Sequence, residues 1–235
     1  DLHLSIRRQR QMCIRDSSKS DTNVIYVGGG EVTVRGNVSS GYGIWKSLDA
    51  GKTWIFAGLP KSRHVPRIVI DPNNSDIVYA AVLGNIYKPT PERGVYKSID
   101  GGVNWRRILF SNQHSGAVEL VMDPSNPRVL YASTWRLKRT PFSLNSGGEG
   151  SALWKSIDEG KNWTQISLNN GFAKGTLGII GVTVSPVNSQ KVWAIVENKD
   201  EGGIYQSDDG GSSWNYINDS RASVSYTHLT LPTNR

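Results

Sequence analysis

The chain has 235 residues, 37% of them apolar, with 25 glycines, eight tryptophans and nine tyrosines. That composition suits many short strands and tight turns and argues against a helical bundle or a disordered chain. No stretch approaches eighteen consecutive apolar residues, and the single cysteine, Cys13, allows no internal disulfide and fits no metal-ligand spacing. The formal charge of +7 gathers at the ends: residues 1–18 and 221–235 carry +2 each, leaving about +3 on the body, so no basic nucleic-acid surface is expected.

Residues 7–17 (RRQRQMCIRDS) share no periodicity with the body of the chain, and residues 1–21 read as a non-native or disordered tail. From residue 22 a pattern begins that recurs to about 220. An apolar, aromatic run, Val24-Ile-Tyr26-Val, leads through a glycine-rich loop to Gly43-Ile-Trp45-Lys-Ser and then to the box Ser47-Leu-Asp49-Ala-Gly51-Lys-Thr-Trp54. This first unit, 22–58, reads as partial because no innermost strand precedes it. The second, 66–110, has all four runs: Arg67-Ile-Val-Ile70, Ile77-Val-Tyr79-Ala, Gly94-Val-Tyr96-Lys-Ser with the box Ser98-Ile-Asp100-Gly-Gly102-Val-Asn-Trp105, and the run that Trp105 opens.

The third unit, 117–167, repeats this with Val118-Glu-Leu-Val121, Val129-Leu-Tyr131-Ala, Ala152-Leu-Trp154-Lys-Ser and the box Ser156, Asp158, Gly160, Trp163. The fourth, 178–217, has Gly181-Val-Thr-Val184, Val192-Trp193-Ala-Ile, Gly203-Ile-Tyr205-Gln-Ser and the box Ser207, Asp209, Gly211, Trp214. The four box aspartates are 51, 58 and 51 residues apart. Four short alternating strands per unit of this length predict antiparallel meanders, which are propeller blades. The fold class is therefore all-β: a β-propeller fragment of about four four-stranded antiparallel blades, each with one box hairpin. Residues 221–235 read as a second non-native tail.

Each box residue has a structural task in a hairpin turn. The aspartate can accept backbone N–H groups two or three residues on, the glycine suits a position with φ > 0, the serine bonds the same turn, and the tryptophan buries a large ring. Two other readings fail on spacing. Gly51-Lys-Thr would need a glycine where Lys46 stands to be a phosphate loop, and Asp208-Asp209-Gly-Gly lacks the alternating oxygens of an EF-hand. No cofactor and no metal is implied.

Blade geometry places the first turns and the boxes on one face. The second turns (28–42, 83–93, 134–151, 197–202) and the connections between blades (59–66, 110–116) fall on the other. Long loops on one face of a rigid scaffold are where binding is expected. Ligand-binding candidates are Arg35, Arg93, Trp135, Arg136 and Arg139, with Tyr42, His64, Tyr87 and His114 nearby in sequence. Arginines and aromatics together suit carboxylate-bearing peptides or sugars. Glu31, Glu149 and Glu197 are the long-loop acids to test for catalysis.

The four boxes resemble those of the Asp-box, or bacterial neuraminidase repeat, propellers. The Gly28-Gly-Gly-Glu31 segment and the Asp-Pro-x-Asn…Val-Tyr-Ala turns are similar to the sortilin N-terminal type of bacterial secreted proteins. The resemblance implies a larger propeller whose other blades are partners of this arc, and a secreted, periplasmic or cell-surface location. It also implies a binding scaffold for a protein, peptide or glycan. Two alternatives are a glycoside hydrolase of sialidase or xyloglucanase type and an assembly or stability factor for a complex. The sialidase Arg-Ile-Pro motif is absent, since Pro66-Arg67-Ile68 has another order. A xyloglucanase-like mechanism would need two acids about 5–9.5 Å apart.

Overall fold

A computed structural model describes residues 14–32 and 38–218. Four antiparallel sheets succeed one another along the chain. Blade I holds β1 (Ile14–Ser17), β2 (Ile25–Gly28), β3 (Ile44–Ser47) and β4 (Ile55–Phe56). Blade II holds β5 (Arg67–Ile70), β6 (Val78–Val82), β7 (Gly94–Ser98) and β8 (Arg106–Leu109). Blade III has β9 (Ser115–Asp123), β10 (Asn126–Arg139), β11 (Leu144–Ser146), β12 (Ala152–Ser156) and β13 (Thr164–Gln165). Blade IV has β14 (Ile180–Val184), β15 (Val192–Val196), β16 (Gly203–Ser207) and β17 (Asn215–Asn218).

Two features differ from the sequence expectation. Blade I has its innermost strand, because β1 pairs with β2 from Ile14↔Gly28 to Ser17↔Ile25, inside the stretch read as a tail. Ladder pairing asks only for an extended backbone, and hydropathy could not reveal so polar a strand. The Asp16 carboxylate accepts the Ile70 N–H of β5 at 3.2 Å, and burial raises its pKa. The second difference is in blade III, where the 134–151 segment is no open loop. β10 runs on to Arg139 and turns back as β11, pairing Leu137 with Ser146 and Arg139 with Leu144. The alternation in Trp135-Arg-Leu-Lys-Arg, buried at Trp135 and Leu137 and exposed at Arg136 and Lys138, is the period of a strand.

The core lies between blades. Strand side chains alternate faces, so each sheet is apolar on both sides, and one cluster forms at each junction. Tyr26, Ile44, Ile68, Ile70 and Val78 fill the first; Tyr79, Val95, Leu120 and Leu130 the second; Tyr131, Leu153, Ile180, Val192 and Trp214 the third. The innermost strands β5 and β9 are also joined by an Arg67–Glu119 ion pair, its glutamate buried.

The boxes form one hairpin four times. Asp49, Asp100, Asp158 and Asp209 each accept the backbone N–H of the residue four positions on (2.8–2.9 Å), farther than the two or three expected, and bond that residue's side chain as well. The serine hydroxyl donates to the aspartate at 2.7–2.8 Å and accepts the glycine N–H at 2.7–2.9 Å. These donors hold all four carboxylates at a pKa of about 2. Both residues after each aspartate have φ > 0, as in Ala50 (58°) with Gly51 (90°), the geometry that fits a tight hairpin to twisted strands.

Candidate functional site

The two faces are distinct. On one, each box bonds the first turn of its own blade: Ala50 N–H to Asn23 O at 3.0 Å, Gly101 to Asp76 O at 2.9 Å, Glu159 to Arg128 O at 2.9 Å and Gly210 to Gln190 O at 2.8 Å. On the other, second turns and inter-blade connections bond one another, as in Thr90 N–H to Gln113 O (3.0 Å), Arg139 to Ile86 O (2.8 Å) and Gly148 to Leu177 O (3.1 Å). Beneath this second face Val38, Leu83, Ile86, Trp135 and Leu137 make a small apolar core, with Val118 and Ile179 against it. Segments of all four blades meet there, so the long-loop face is a packed platform and not a fringe of free loops.

A half-open groove of about 670 Å³ runs along this platform between blades III and IV, lined by residues 148–151 and 165–177. That volume lies in the range of small-molecule and oligomer sites. Its far wall begins with the 3-10 turn Ile166–Leu168 and continues as the connection into β14. Glu149, Gln165, Asn169, Asn170, Lys174 and Thr176 supply its polar groups. The wall is fixed from behind: Asn169 Nδ2 bonds Gly211 O at 2.7 Å, Asn198 Nδ2 bonds Lys174 O at 2.7 Å, and the Lys174 N–H bonds the Glu201 carboxylate at 2.6 Å. Phe172 anchors it below, 5.2 Å from Tyr205 and 5.1 Å from Trp214 between ring centres.

Four of the candidate residues make bonds within the fold. Trp135 is 3% exposed, its indole N–H on Ser146 Oγ at 2.9 Å, so it is the centre of the apolar core and offers no open platform. Arg93 is 1% exposed, with Nη2 on the carbonyls of Asn85 and Lys88, and burial lowers its pKa to about 10. A ligand at the surface cannot reach it. Glu31 is buried and accepts the Ser39 N–H at 2.9 Å, while its carbonyl bonds His64 Nδ1, whose own pKa burial depresses. Glu197 bonds Ser146 Oγ (2.6 Å) and the Ile179 N–H (2.9 Å), tying the β10–β11 hairpin to blade IV.

Arg35 lies outside the described residues. Arg136 is exposed and lies along Gly148 beside the groove, and Arg139 closes the hairpin at the end of β10. Tyr42 and His114 are exposed, and Tyr87 bonds Val38 O. Of the three acids, Glu149 alone is exposed and has no bond to its carboxylate among the described residues; its carbonyl, bonded by Ser115 Oγ at 3.0 Å, fixes its place on the rim. The residues that sequence reasoning missed are those of 165–177. The cue was there in the thirteen residues from Gln165 to Leu177, with Asn169-Asn170-Gly171 and Gly175 as turn signals. Among the described residues no group of three His, Cys, Asp or Glu could hold a metal, and no helix is long and apolar enough to cross a membrane.

Consecutive four-stranded blades around inter-blade cores, with the long loops gathered on one face, define a fragment of a β-propeller. Solved structures of propeller enzymes agree. An ancestral GH74 enzyme superposes with a TM-score of 0.65 at 17% identity, over 89% of this chain and 24% of its own. The GH74 xyloglucanase of Xanthomonas campestris does so with a TM-score of 0.64 at 20% identity, over 86% and 29%. At these identities the likeness is one of fold. The family model described as sortilin, neurotensin receptor 3 (Sortilin-Vps10) matches residues 93–234, and the chain belongs to that family.

Among curated proteins, the xyloglucanase Xgh74A of Acetivibrio thermocellus is 25% identical over 178 residues, 65% of this chain and 20% of the relative. A Paenibacillus xyloglucanase is 26% identical over 200 residues, 82% and 17%. A xyloglucanase of Hypocrea jecorina is 29% identical over 180 residues, 65% and 20%. The chain thus spans about a fifth of the length of these relatives.

Proposed function

We propose that the chain is part of an extracytoplasmic Asp-box propeller that acts as a binding scaffold and holds a glycan in the groove between blades III and IV. The observation that carries this reading is the groove itself. Its far wall is held from behind by side-chain amides on backbone carbonyls, and its lining joins amide, hydroxyl and backbone groups, one lysine and the Glu149 carboxylate to the apolar Leu168, Phe172, Ala173 and Leu177. Such a lining matches a neutral chain of hydroxyls, which asks for many modest hydrogen bonds. Likeness to three xyloglucanases makes a branched glucan the first ligand to try.

The test is calorimetric titration of xyloglucan oligosaccharides into the chain and into Glu149→Gln and Asn170→Ala variants. Glutamine still accepts a hydrogen bond but without the charge, a loss of about 1–1.5 kcal/mol, roughly a fivefold to tenfold weakening for Glu149→Gln. Binding that both variants leave unchanged would move the site elsewhere, and binding of extended peptides but not glycans would replace the ligand class.

The second reading is a glycoside hydrolase, favoured by the same relatives and by the Glu149 carboxylate on the groove rim, which has no bond among the described residues. It needs a second acid, supplied by blades beyond this chain. Hydrolysis by the complete protein that Glu149→Gln abolishes would establish it; full hydrolysis in that variant would remove Glu149 from the chemistry.

A further inference from the structure

The far wall of the groove holds the one Asn-Gly pair in the sequence, Asn170-Gly171. The Phe172 N–H bonds Asn169 O at 3.3 Å, which makes these two the central residues of a β-turn. Gly171 has φ 82°, and an added Cβ would run into Trp214 O, so blade IV admits no other residue there. Asn170 is held by its backbone, its carbonyl accepting the Trp214 N–H at 2.9 Å. Its side chain is exposed in the groove and makes no bond among the described residues, and neither does the Gly171 N–H.

Other asparagines of the turns differ on both counts. Asn85, Asn112, Asn188 and Asn198 each accept, on the side-chain oxygen, the backbone N–H two residues on at 2.8–3.0 Å, which fixes the side chain. Each is also followed by a residue with a Cβ, which crowds the approach of that residue's nitrogen to the amide carbon. Asn145 is exposed, but it lies in β11 and Ser146 follows it.

A free asparagine before glycine can close on itself. The Gly171 nitrogen, losing its proton, attacks Asn170 Cγ. The new C–N bond forms as the Cγ–Nδ2 bond breaks, and ammonia leaves with that proton. Water then opens the five-membered imide at either carbonyl. The products are aspartate, or isoaspartate with the chain routed through the side-chain carbon. Water is the sole co-reactant.

We propose that Asn170 is a site of spontaneous deamidation that puts a second carboxylate in the groove, across from the Glu149 rim, and weakens glycan binding there. The loss of affinity rests on the glycan reading above; the modification does not. The amide N–H donors that would serve sugar hydroxyls are gone, and a carboxylate must be desolvated in their place. Isoaspartate also lengthens the backbone between Asn169 and Gly171, which the Trp214 bond holds in place.

The full chain is kept at mildly alkaline pH, where the Gly171 proton is lost more readily, then digested in acid and its peptides weighed. The peptide spanning 170–171 should gain the mass difference between amide and acid before any other asparagine peptide does. Part of the product should be labelled by an isoaspartate methyltransferase. Asn170→Gln, which would have to close a six-membered ring, should hold its mass at this position. An unchanged 170–171 peptide, or another asparagine changing first, overturns the proposal. Calorimetric titration of xyloglucan oligosaccharides should show the aged chain binding roughly fivefold to tenfold more weakly than the fresh one. Equal binding overturns the effect on affinity. If neither binds, the glycan reading falls together with that effect, and the mass data still decide the modification.

Discussion

Replacing Gly102 with alanine should cost the fold markedly more than the same change at Gly51, although the two glycines hold the same place in their boxes. Both have a left-handed backbone, φ 93° and 90°, and both N–H groups bond the box serine at 2.8 Å. The strain of an alanine there is common to both, about 1–2 kcal/mol. What differs is the neighbour. A Cβ on Gly102 would lie 2.9 Å from Ala57 Cβ and 3.2 Å from Ala57 O, and alanine has no rotamer to yield, so β4 must shift against blade II. Overpacking of that kind adds about 1–3 kcal/mol. A Cβ on Gly51 would meet only the Trp54 ring at 3.5 Å and Ile25 Cδ1 at 3.9 Å, both ordinary contacts. The expected losses are therefore about 1–2 kcal/mol for Gly51→Ala and about 2–5 kcal/mol for Gly102→Ala. Urea denaturation at a dilution that keeps the chain monomeric reads both from their midpoints. Equal losses would refute the view that the box glycine is the seat of the inter-blade contact.

The same geometry sets three further outcomes. The box aspartates have folded-state pKa values of about 2 against an ordinary 3.8, so their contribution is full above pH 3.8 and lost as pH falls towards 2. The melting temperature should drop through that window, less steeply in Asp100→Asn, and a flat profile would show that the boxes add nothing. Ala50→Gly relieves a left-handed alanine at φ 58° and should stabilise the chain by up to about 1 kcal/mol, visible as a raised urea midpoint. Trp135→Ala empties the centre of the loop-face core and should cost about 3–5 kcal/mol; near-neutral urea unfolding would mean that this face is not packed around it.

Much of the architecture was legible in the sequence because a box is a local object. The bonds that shape its turn, from serine to aspartate, glycine N–H to serine and the fourth residue's N–H to aspartate, span no more than four residues, so four copies announce four hairpins, and the alternating runs beside them locate the strands of blades II to IV. Where pairing is not local, the signal failed. β1 is held by ladder bonds and by Asp16 reaching β5, fifty-four residues away, and nothing in Ile-Arg-Asp-Ser points to that. The site was legible only as a face. Turn order places the long loops together, and Glu149 was named on that ground.

The roles of single residues waited on tertiary structure, because burial depends on what other blades bring. Arg93, Trp135, Glu31 and Glu197 read as loop chemistry in the chain; Trp135 packs on Val38 and Leu83, the Glu31 carbonyl bonds His64 and Glu197 bonds Ser146, all distant in sequence, while Arg93 folds back onto the carbonyls of its own loop. The groove also exists only where residues 165–177 lie across from Glu149. The number of hairpins in this protein, and the end of each blade that carries its long turns, are written in the amino-acid order, since both rest on short-range bonding and strand count. Which of those turns is packed shut, which lines a groove and which blade face stays open emerges only when the blades assemble, through contacts between them that no local pattern encodes.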